Sequence, residues 1–265
     1  MTRRGRLVRR LRAGAAAVAL GLPAAGADEA RPAEKRSGFE EMSREVRAMQ
    51  RDDGANPGML WVQEGEALWN RKEGSAAAAC ADCHGAAADS MRGVAARYPA
   101  FDPDGGRPID LQGRVNRCRQ THQGASAFAW ESDGLLALTA FVAHQSRGMP
   151  IAAEEDARLA PFRESGRRLF EERRGQLNLS CAQCHDDNAG KRLAGSVIPQ
   201  GHPTGYPVYR LEWQGLGSLQ RRLRNCMAGV RSEPYAYGSP AYVELELFLM
   251  FRANGMATET PAVRP

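Results

Sequence analysis

The sequence lacks a hydrophobic run long enough to anchor the chain in a membrane. Its N-terminal apolar core, Gly14 to Leu22, is nine residues long, whereas a transmembrane helix needs about 20. Six arginines precede this core, and the small residues Ala25-Gly26-Ala27 follow it. This order is typical of a secretory signal that is removed after export. We therefore predict a signal peptide over residues 1–27 and no membrane anchor.

An excess of positive charge is missing as well, once the signal segment is set aside. The whole chain has a formal net charge of +5. Residues 1–27 hold six of its 36 lysines and arginines and none of its 31 aspartates and glutamates, so the remainder carries a net charge of −1. A nucleic-acid-binding domain usually has a strongly basic surface. The charge balance therefore gives no support for a nucleic-acid partner.

Aromatic residues and strand-like patterns are scarce. The chain has four tryptophans and eight phenylalanines, which is few for the two domains of roughly 100–120 residues that its length suggests. Few segments alternate between apolar and polar residues as half-buried strands do. The sequence therefore indicates a mainly helical protein whose cores need another source of apolar surface.

Cysteine is also rare, but four of the six cysteines stand in two short motifs. Both motifs read C-x-x-C-H, the attachment signal for c-type haem, in which the cysteines form thioethers and the histidine is the proximal iron ligand. Two covalently bound haem c groups would supply the missing apolar surface. The predicted attachment residues are Cys80 and Cys83 in the first motif and Cys181 and Cys184 in the second, with His84 and His185 as proximal ligands.

The chain contains an internal duplication around these motifs. A segment with glycine and an aromatic residue precedes each motif, as Gly65-Glu66-Ala67-Leu68-Trp69 and as Gly166-Arg167-Arg168-Leu169-Phe170. After each motif, residues 111–118 align without gaps with residues 219–226, and an apolar helix follows in each half. This repeated plan is similar to that of a class I cytochrome c domain.

The predicted fold is therefore mainly α, with two tandem class I cytochrome c-like domains related by internal duplication. We place an N-terminal extension at residues 28–58, the first domain at residues 59–152 and the second domain at residues 153–265. The tail from Ala257 shows no packing pattern, and we expect it to be frayed, as chain ends commonly are.

The two cysteines outside the motifs, Cys118 and Cys226, occupy the same place in the two halves. Each precedes the last helix of its half, where a distal haem ligand is expected, so the repeat favours ligation of each iron by its own cysteine. A thiolate ligand would lower the reduction potential of the iron, and a thiolate is also a nucleophile. A Cys118–Cys226 disulfide stays open as an alternative, because the compartment is oxidising.

Other distal ligands also stay open. Met149 and Met256 occupy equivalent positions, and methionine is a common distal ligand in cytochromes c, but both follow the last apolar helix of their half. His122 follows Cys118 by four residues and has no counterpart in the second half. His202 lies in a loop that could approach the second haem.

With two C-x-x-C-H motifs, each followed by a distal cysteine, the chain resembles the SoxA family, the dihaem subunits of the SoxAX cytochromes of thiosulfate oxidation. The strongest similarity lies in residues 209–227, YRLEWQGLGSLQRRLRNCM. The resemblance implies His/Cys ligation at both haems, through His84 with Cys118 and through His185 with Cys226.

The same resemblance implies a function. Catalysis would take place at the second haem, with Cys226 carried as a persulfide and Arg222 in contact with the substrate. The family activity is that of an L-cysteine S-thiosulfotransferase, which joins thiosulfate to a cysteine of the carrier protein SoxYZ in the periplasm. The implied partners are a SoxX-type monohaem cytochrome c, as the other subunit of a heterodimer, and a small soluble cytochrome c that accepts the electrons.

The residue types around Cys226 suit that activity. Arg222 precedes Cys226 by four residues, so the two side chains share one face of a helix. A guanidinium offers a planar fork of donors for the oxygens of thiosulfate. Arg114 is the equivalent residue of the first half, and we expect it to bind a haem propionate.

Two other functions stay open. A dihaem thiosulfate dehydrogenase would release free tetrathionate, and a purely electron-carrying dihaem cytochrome c would have no substrate. Two equivalent distal cysteines disfavour the dehydrogenase, because such enzymes usually ligate their second haem through methionine or lysine. A reduction potential close to that of Met/His haems would favour the electron carrier.

Overall fold

In each half of the chain a long helix precedes the C-x-x-C-H motif, and another long helix is the last helix of that half. The computed structural model describes residues 1–2, 34–153 and 155–265, and residues 35–265 form one compact unit. Most of the predicted signal peptide and residues 28–33 of the predicted extension lie outside the described residues. In the described part the α-helices are α1 (Arg44–Arg51), α2 (Met59–Asn70), α3 (Cys80–His84), α4 (Ala87–Ser90), α5 (Leu111–Cys118), α6 (Asp133–His144), α7 (Ala160–Glu171), α8 (Cys181–His185), α9 (Leu219–Gly229) and α10 (Pro240–Arg252).

The strands are only two or three residues long, and they form three small sheets. Two of the sheets are antiparallel hairpins, and in the third a central strand pairs with one antiparallel and one parallel neighbour. Among the described residues no helix is long and apolar enough to cross a membrane. The sheets are β1 (Ala100–Asp102) with β2 (Arg107–Ile109), β3 (Arg192–Leu193) with β4 (Ser196–Val197), and β5 (Val208–Arg210) between β6 (Gly215–Gly217) and β7 (Ala262–Arg264).

The first and last long helices of each half cross in direct contact, α2 with α6 and α7 with α10. A glycine stands at each crossing. A Cβ atom added to Gly65 would lie within 3.0 Å of the carbonyl oxygen of Ala137, and one added to Gly166 would lie equally close to that of Glu244. Only glycine allows the two backbones to approach so closely, which explains why both halves have it there.

The aromatic residue one turn after each glycine completes the crossing. Trp69 packs against Phe141 with ring centroids 5.9 Å apart, and Phe170 packs against Phe248 at 5.4 Å. The ring of Trp69 also lies 5.6 Å from that of His84. In the first half the crossing therefore contacts the haem-attachment motif. In both halves the segment with glycine and an aromatic residue is a helix that buries this aromatic residue.

The duplication extends further upstream than the alignment of residues 111–118 with residues 219–226. In the first hairpin Ala100 is opposite Ile109, and in the second Val208 is opposite Gly217, at the same offset that relates Cys118 to Cys226. A cis X-Pro peptide precedes each hairpin. Both halves therefore share a hairpin followed by a helix, β1-β2-α5 and β5-β6-α9.

The C-terminal tail is ordered, so the expectation of a frayed end from Ala257 is wrong. Its strand β7 pairs in parallel with β5, and Val263 is fully buried. The Val263 amide donates to Gln50 Oε1 at 3.0 Å. The short sequence of β7 could not reveal this pairing, because its partners lie far away in the chain. The tail is therefore part of the second half, where Ala262 and Arg264 of β7 line a cavity.

Candidate functional site

Each C-x-x-C-H motif folds as a single helical turn, α3 in the first half and α8 in the second. Residues three and four apart lie on the same face of a helix, so the two cysteines and the histidine of each motif project to one side. The second turn begins with a reciprocal cap, in which Ser180 Oγ accepts from the amide of Gln183 at 3.2 Å and Gln183 Oε1 accepts from that of Ser180 at 3.0 Å. Local sequence therefore sets the attachment geometry.

The first motif opens into a cavity of ≈ 950 Å³. The structure brings to this cavity all four residues predicted for the first haem, Cys80, Cys83, His84 and Cys118. Cofactor sites are typically concave and lined mainly by apolar side chains, and this cavity fits a haem on both counts. Its apolar walls include Trp69, Leu111, Val115, Leu138 and Val142.

The second motif opens into a larger cavity of ≈ 1630 Å³. Cys181, His185 and Cys226 lie on its wall together with Arg222, and Cys184 lies next to His185 on α8. An attachment turn beside an apolar cavity again fits a haem. The apolar walls here include Phe170, Leu219, Leu223, Leu245 and Leu249.

His185 and Cys226 meet inside the second cavity. The Nδ1 atom of His185 lies 2.7 Å from the carbonyl oxygen of Pro199, so Nδ1–H donates to that oxygen and Nε2 is the ring nitrogen left for the Cys226 thiol or for an iron ion. The imidazole is also in hydrogen-bonding contact with the Cys226 thiol. The predicted proximal and distal side chains of this half therefore converge from α8 and α9.

The two distal cysteines differ in acidity. Burial raises the pKa of Cys226, but the hydrogen bond from His185 and the charge of Arg222 outweigh burial and hold this pKa below its ordinary value. At Cys118 burial dominates, and the pKa of the thiol is raised despite two nearby arginines. The thiolate form is therefore favoured at Cys226 more than at Cys118.

Arg114 and Arg222 are equivalent in the repeat but have different surroundings. The Nη2 atom of Arg114 lies 3.2 Å from Oδ1 of Asp102, a buried carboxylate. Arg222 has no carboxylate partner among the described residues, and the Cys226 thiol lies within its electrostatic reach. Arg114 also lines the first cavity, so its contact with a propionate stays a prediction.

Of the four other candidate distal ligands, all in the part of the chain that the structure describes, two line one of these two cavities and two do not. His122 lines the first cavity and His202 lines the second, whereas neither Met149 nor Met256 is on the described wall of either. None of the six cysteines forms a disulfide in the described part of the chain. Cys118 and Cys226 line different cavities, so the alternative Cys118–Cys226 disulfide is absent from this structure.

Two residues of the second cavity, Tyr206 and Arg210, were not found from the sequence. The alignment of the two halves could have revealed them, had it been extended upstream to the Tyr-Pro pairs. Tyr206 then matches Tyr98, and Arg210 stands where the first half has Asp102. The feature that would have drawn attention to Arg210 is the reversed charge at this one position, since the rest of the hairpin is similar in the two halves.

Comparison with known proteins identifies the family of this chain. The family model of the SoxA/TsdA cytochrome c domain matches residues 64–151 and 165–258. The chain is 40% identical over 221 residues to the L-cysteine S-thiosulfotransferase subunit SoxA of Pseudaminobacter salicylatoxidans, which covers 83% of this chain and 77% of that protein. The chain belongs to the SoxA family.

Other SoxA proteins agree with this assignment. The SoxA subunit of Rhodovulum sulfidophilum is 38% identical over 231 residues, covering 87% of this chain and 80% of that protein. The crystal structure of SoxXA from P. pantotrophus matches with a TM-score of 0.84 at 34% identity, covering 87% of each chain. These matches confirm two tandem cytochrome c domains in a mainly helical fold, and haem c is the cofactor of such domains.

The two cavities of this SoxA-family chain suit different chemistry. The second combines a thiol of lowered pKa with an arginine that has no carboxylate partner among the described residues, in a cavity whose walls are mostly apolar. The first has a thiol of raised pKa and an arginine paired with a carboxylate. Although both cavities fit a haem, the second is therefore better suited than the first to reaction with an anionic sulfur compound.

Proposed function

We propose that this chain is the dihaem cytochrome c subunit of an L-cysteine S-thiosulfotransferase, which conjugates thiosulfate to a cysteine of a SoxYZ-type carrier protein. The names of its SoxA relatives support this activity. Each half binds one haem c covalently and ligates its iron through one histidine and one cysteine. The residues concerned are Cys80, Cys83, His84 and Cys118 for the first haem and Cys181, Cys184, His185 and Cys226 for the second.

Cys226, His185 and Arg222 lie together in one cavity, and this single observation carries the proposal. The imidazole and the guanidinium both favour the ionised thiol. The guanidinium also offers a fork of donors to the sulfonate oxygens of thiosulfate. When the anion is held there, its outer sulfur is directed toward the Cys226 sulfur, four residues along the same helix.

The proposed reaction has two steps that balance in atoms and electrons. First, a sulfur–sulfur bond forms between Cys226, as thiolate or persulfide, and the outer sulfur of thiosulfate, and two electrons are released. Second, the thiolate of the carrier cysteine attacks that outer sulfur, and the Cys226 sulfur leaves. The carrier thiol gives its proton to solvent before the attack. Haem c supplies the chemistry by which the two electrons are taken up and passed on.

Partners and compartment complete the proposal. The matching structure contains SoxXA, which supports a SoxX-type monohaem cytochrome c as the second subunit of a heterodimer. A small soluble cytochrome c accepts the electrons. The predicted signal peptide over residues 1–27 and the need to attach haem after export favour the periplasm. We retain the extension at residues 28–58 and the domains at residues 59–152 and 153–265.

The experiment is a transfer assay on the holo heterodimer, with thiosulfate, the carrier protein and a cytochrome c acceptor. Cys226→Met lowers the transfer rate at least about 100-fold, because it removes the reacting sulfur. Cys118→Met is the matched control, which changes the equivalent residue of the other half and retains transfer. Release of free tetrathionate by the wild type would instead indicate a thiosulfate dehydrogenase. Absence of any thiosulfate-dependent reaction would indicate an electron carrier.

A further inference from the structure

The last residue of the first hairpin strand differs in charge between the two halves. In the first hairpin Asp102 is opposite Arg107, and in the second Arg210 is opposite Gly215, in the same register. The two positions are therefore structurally equivalent, in the same way as Arg114 and Arg222 on the helices that follow.

In the first half the acidic residue neutralises the helix arginine. Asp102 is 1% exposed and accepts from Arg114 Nη2 at 3.2 Å, from the Gly105 amide at 2.9 Å and from Arg117. These bonds hold the pKa of Asp102 below its ordinary value despite burial. The guanidinium of Arg114 is thus already paired with a carboxylate, and it offers a weaker site for a further anion.

In the second half the carboxylate is replaced by a second guanidinium. Arg210 and Arg222 both line the cavity that contains Cys226. Burial and the nearby positive charge of Arg222 lower the pKa of Arg210. Two half-buried arginines repel each other, and an anion placed between them removes that repulsion.

The contacts of Arg210 leave it able to receive such an anion. Its Nε atom lies 3.1 Å from Oε1 of Glu212, but the side chain of Glu212 is 51% exposed, so solvent screens this pair. This close pair does not have hydrogen-bond geometry, so the buried Nε–H still lacks a hydrogen-bond acceptor among the described residues. The guanidinium packs over Trp213, 5.1 Å from the ring centroid, which limits its orientations.

We infer that Arg210 is a second substrate-binding residue, which grips the sulfonate group of thiosulfate together with Arg222 and thereby confines substrate binding to the second half. The inference rests on the proposed function and deepens it. Two guanidiniums match the double charge of a sulfur oxyanion, whereas one would match a monoanion. The difference between Asp102 and Arg210 then explains why only one of two similar cavities binds the substrate.

The test measures KM for thiosulfate and kcat for transfer with the holo heterodimers of Arg210→Gln and Arg210→Lys. Loss of a charge-assisted bond raises KM about 10- to 100-fold in Arg210→Gln. Lysine keeps the charge but loses the planar fork, so Arg210→Lys gives an intermediate KM. Haem absorbance per protein stays at the wild-type level in both, and rising ionic strength increases KM less in Arg210→Gln than in the wild type.

Arg221→Gln is the matched control. Arg221 is on the same helix as Arg222 and stacks on Trp213 at 4.2 Å, but it is not among the residues that line the second cavity. Its loss removes the same charge nearby and leaves KM unchanged within about 2-fold. An equal rise in KM in Arg221→Gln would reduce the effect to general electrostatics and overturn the inference.

The outcomes also separate the inference from the function on which it rests. If the wild type transfers thiosulfate and Arg210→Gln keeps the wild-type KM, the inference is wrong and the function stands. If Arg210→Gln loses its haem, Arg210→Lys decides: a raised KM with kcat retained supports the inference, and a wild-type KM overturns it. If the wild type does not transfer thiosulfate, the affinity for thiosulfate is measured instead with the oxidised wild type and with oxidised Arg210→Gln. Equal affinity of these two proteins overturns the inference, and weaker binding by Arg210→Gln supports it.

Discussion

Gly166 lies against the carbonyl oxygen of Glu244, in the same relationship that joins Gly65 to Ala137 in the other half. We predict that Gly166→Ala separates α7 from α10 and lowers the free energy of unfolding by about 1–3 kcal/mol, the usual range for overpacking. The measurement is urea unfolding of the holo protein.

Gly229→Ala is the control for that change. Gly229 is the last residue of α9, and a Cβ atom added there meets nothing within 4 Å. Alanine is the better helix former by about 1 kcal/mol, so this variant unfolds at the same or a higher urea concentration. Equal destabilisation by both changes would show that the helix crossing does not require glycine.

The distal cysteine of the first half offers a test of ligation that does not depend on turnover. We predict that Cys118→Met raises the reduction potential of one haem, because a thioether stabilises ferric iron less than a thiolate does. Spectroelectrochemical titration of the holo protein measures the change. Met149→Leu is the control and leaves both potentials unchanged, since Met149 is not on the described wall of either cavity. The opposite pattern would make Met149 the ligand.

Two carboxyl groups with raised pKa values, of which Asp110 is the more fully buried, make stability depend on pH. Asp110 and Glu246 line a cavity between the halves. Burial raises the pKa of Asp110 to about 6, and burial together with the charge of Asp110 raises the pKa of Glu246 well above its ordinary value. A raised folded-state pKa means that the unfolded chain releases its protons first. The free energy of unfolding therefore falls as pH rises from about 4 through the folded-state pKa values.

We predict that Glu246→Gln removes part of this dependence. The variant is more stable than the wild type by about 1–3 kcal/mol at pH 8, since the cost of a buried charge without a partner is gone, and the two are nearly equal at pH 4. Urea unfolding over this pH range measures the difference. Glu244→Gln is on the same helix, but Glu244 is paired at 3.5 Å with Arg107, whose side chain is 42% exposed; this change alters stability by less than about 1 kcal/mol. Parallel curves for wild type and Glu246→Gln would refute the buried-charge explanation.

The ordered tail should contribute measurably to the second half. Val263 is fully buried on β7, next to the strand that carries Arg210. Val263→Ala lowers the free energy of unfolding by about 2 kcal/mol, as truncation in a packed core does. Leu193→Ala removes a side chain that is 69% exposed and changes stability by less than about 0.5 kcal/mol. Thermal unfolding of the two variants compares them, and equal melting temperatures would mean that the tail does not pack in solution.

The sequence predicted what depends on local chemistry. The attachment turns at Cys80 and Cys181 need only five consecutive residues. The segments that contain Gly65 and Gly166 were recognised as repeats from a glycine and an aromatic residue one turn later, although the helix crossings at these glycines were not predicted. The placement of Cys118 came from the repeat, because two copies of one unit put equivalent residues in equivalent places. These features carried the fold class and the predicted cysteine and histidine ligands at both cavities.

Features that depend on distant contacts were missed for a physical reason. Strand β7 has only three residues, and its order comes from pairing with β5 and from a hydrogen bond to Gln50. In the sequence Arg210 is an ordinary charged residue of a strand. Only the register of the two hairpins shows that it is equivalent to the oppositely charged Asp102, and only the folded structure shows that it lines the same cavity as Arg222. Glu246 lies on a helix of strongly apolar sequence, and only the packing of the two halves encloses it with Asp110.

Mass spectrometry of the peptide that contains Cys226 tests most directly whether this residue is the reaction centre. The holo heterodimer is incubated with thiosulfate and an oxidised cytochrome c acceptor, without carrier protein, and digested without reductant. We predict that the Cys226 peptide gains the mass of bound thiosulfate or of added sulfur, that the peptide with Cys118 gains neither, and that adding the carrier protein removes the thiosulfate adduct. An unmodified Cys226 peptide, from a heterodimer that still transfers thiosulfate to the carrier, would contradict a reaction through Cys226.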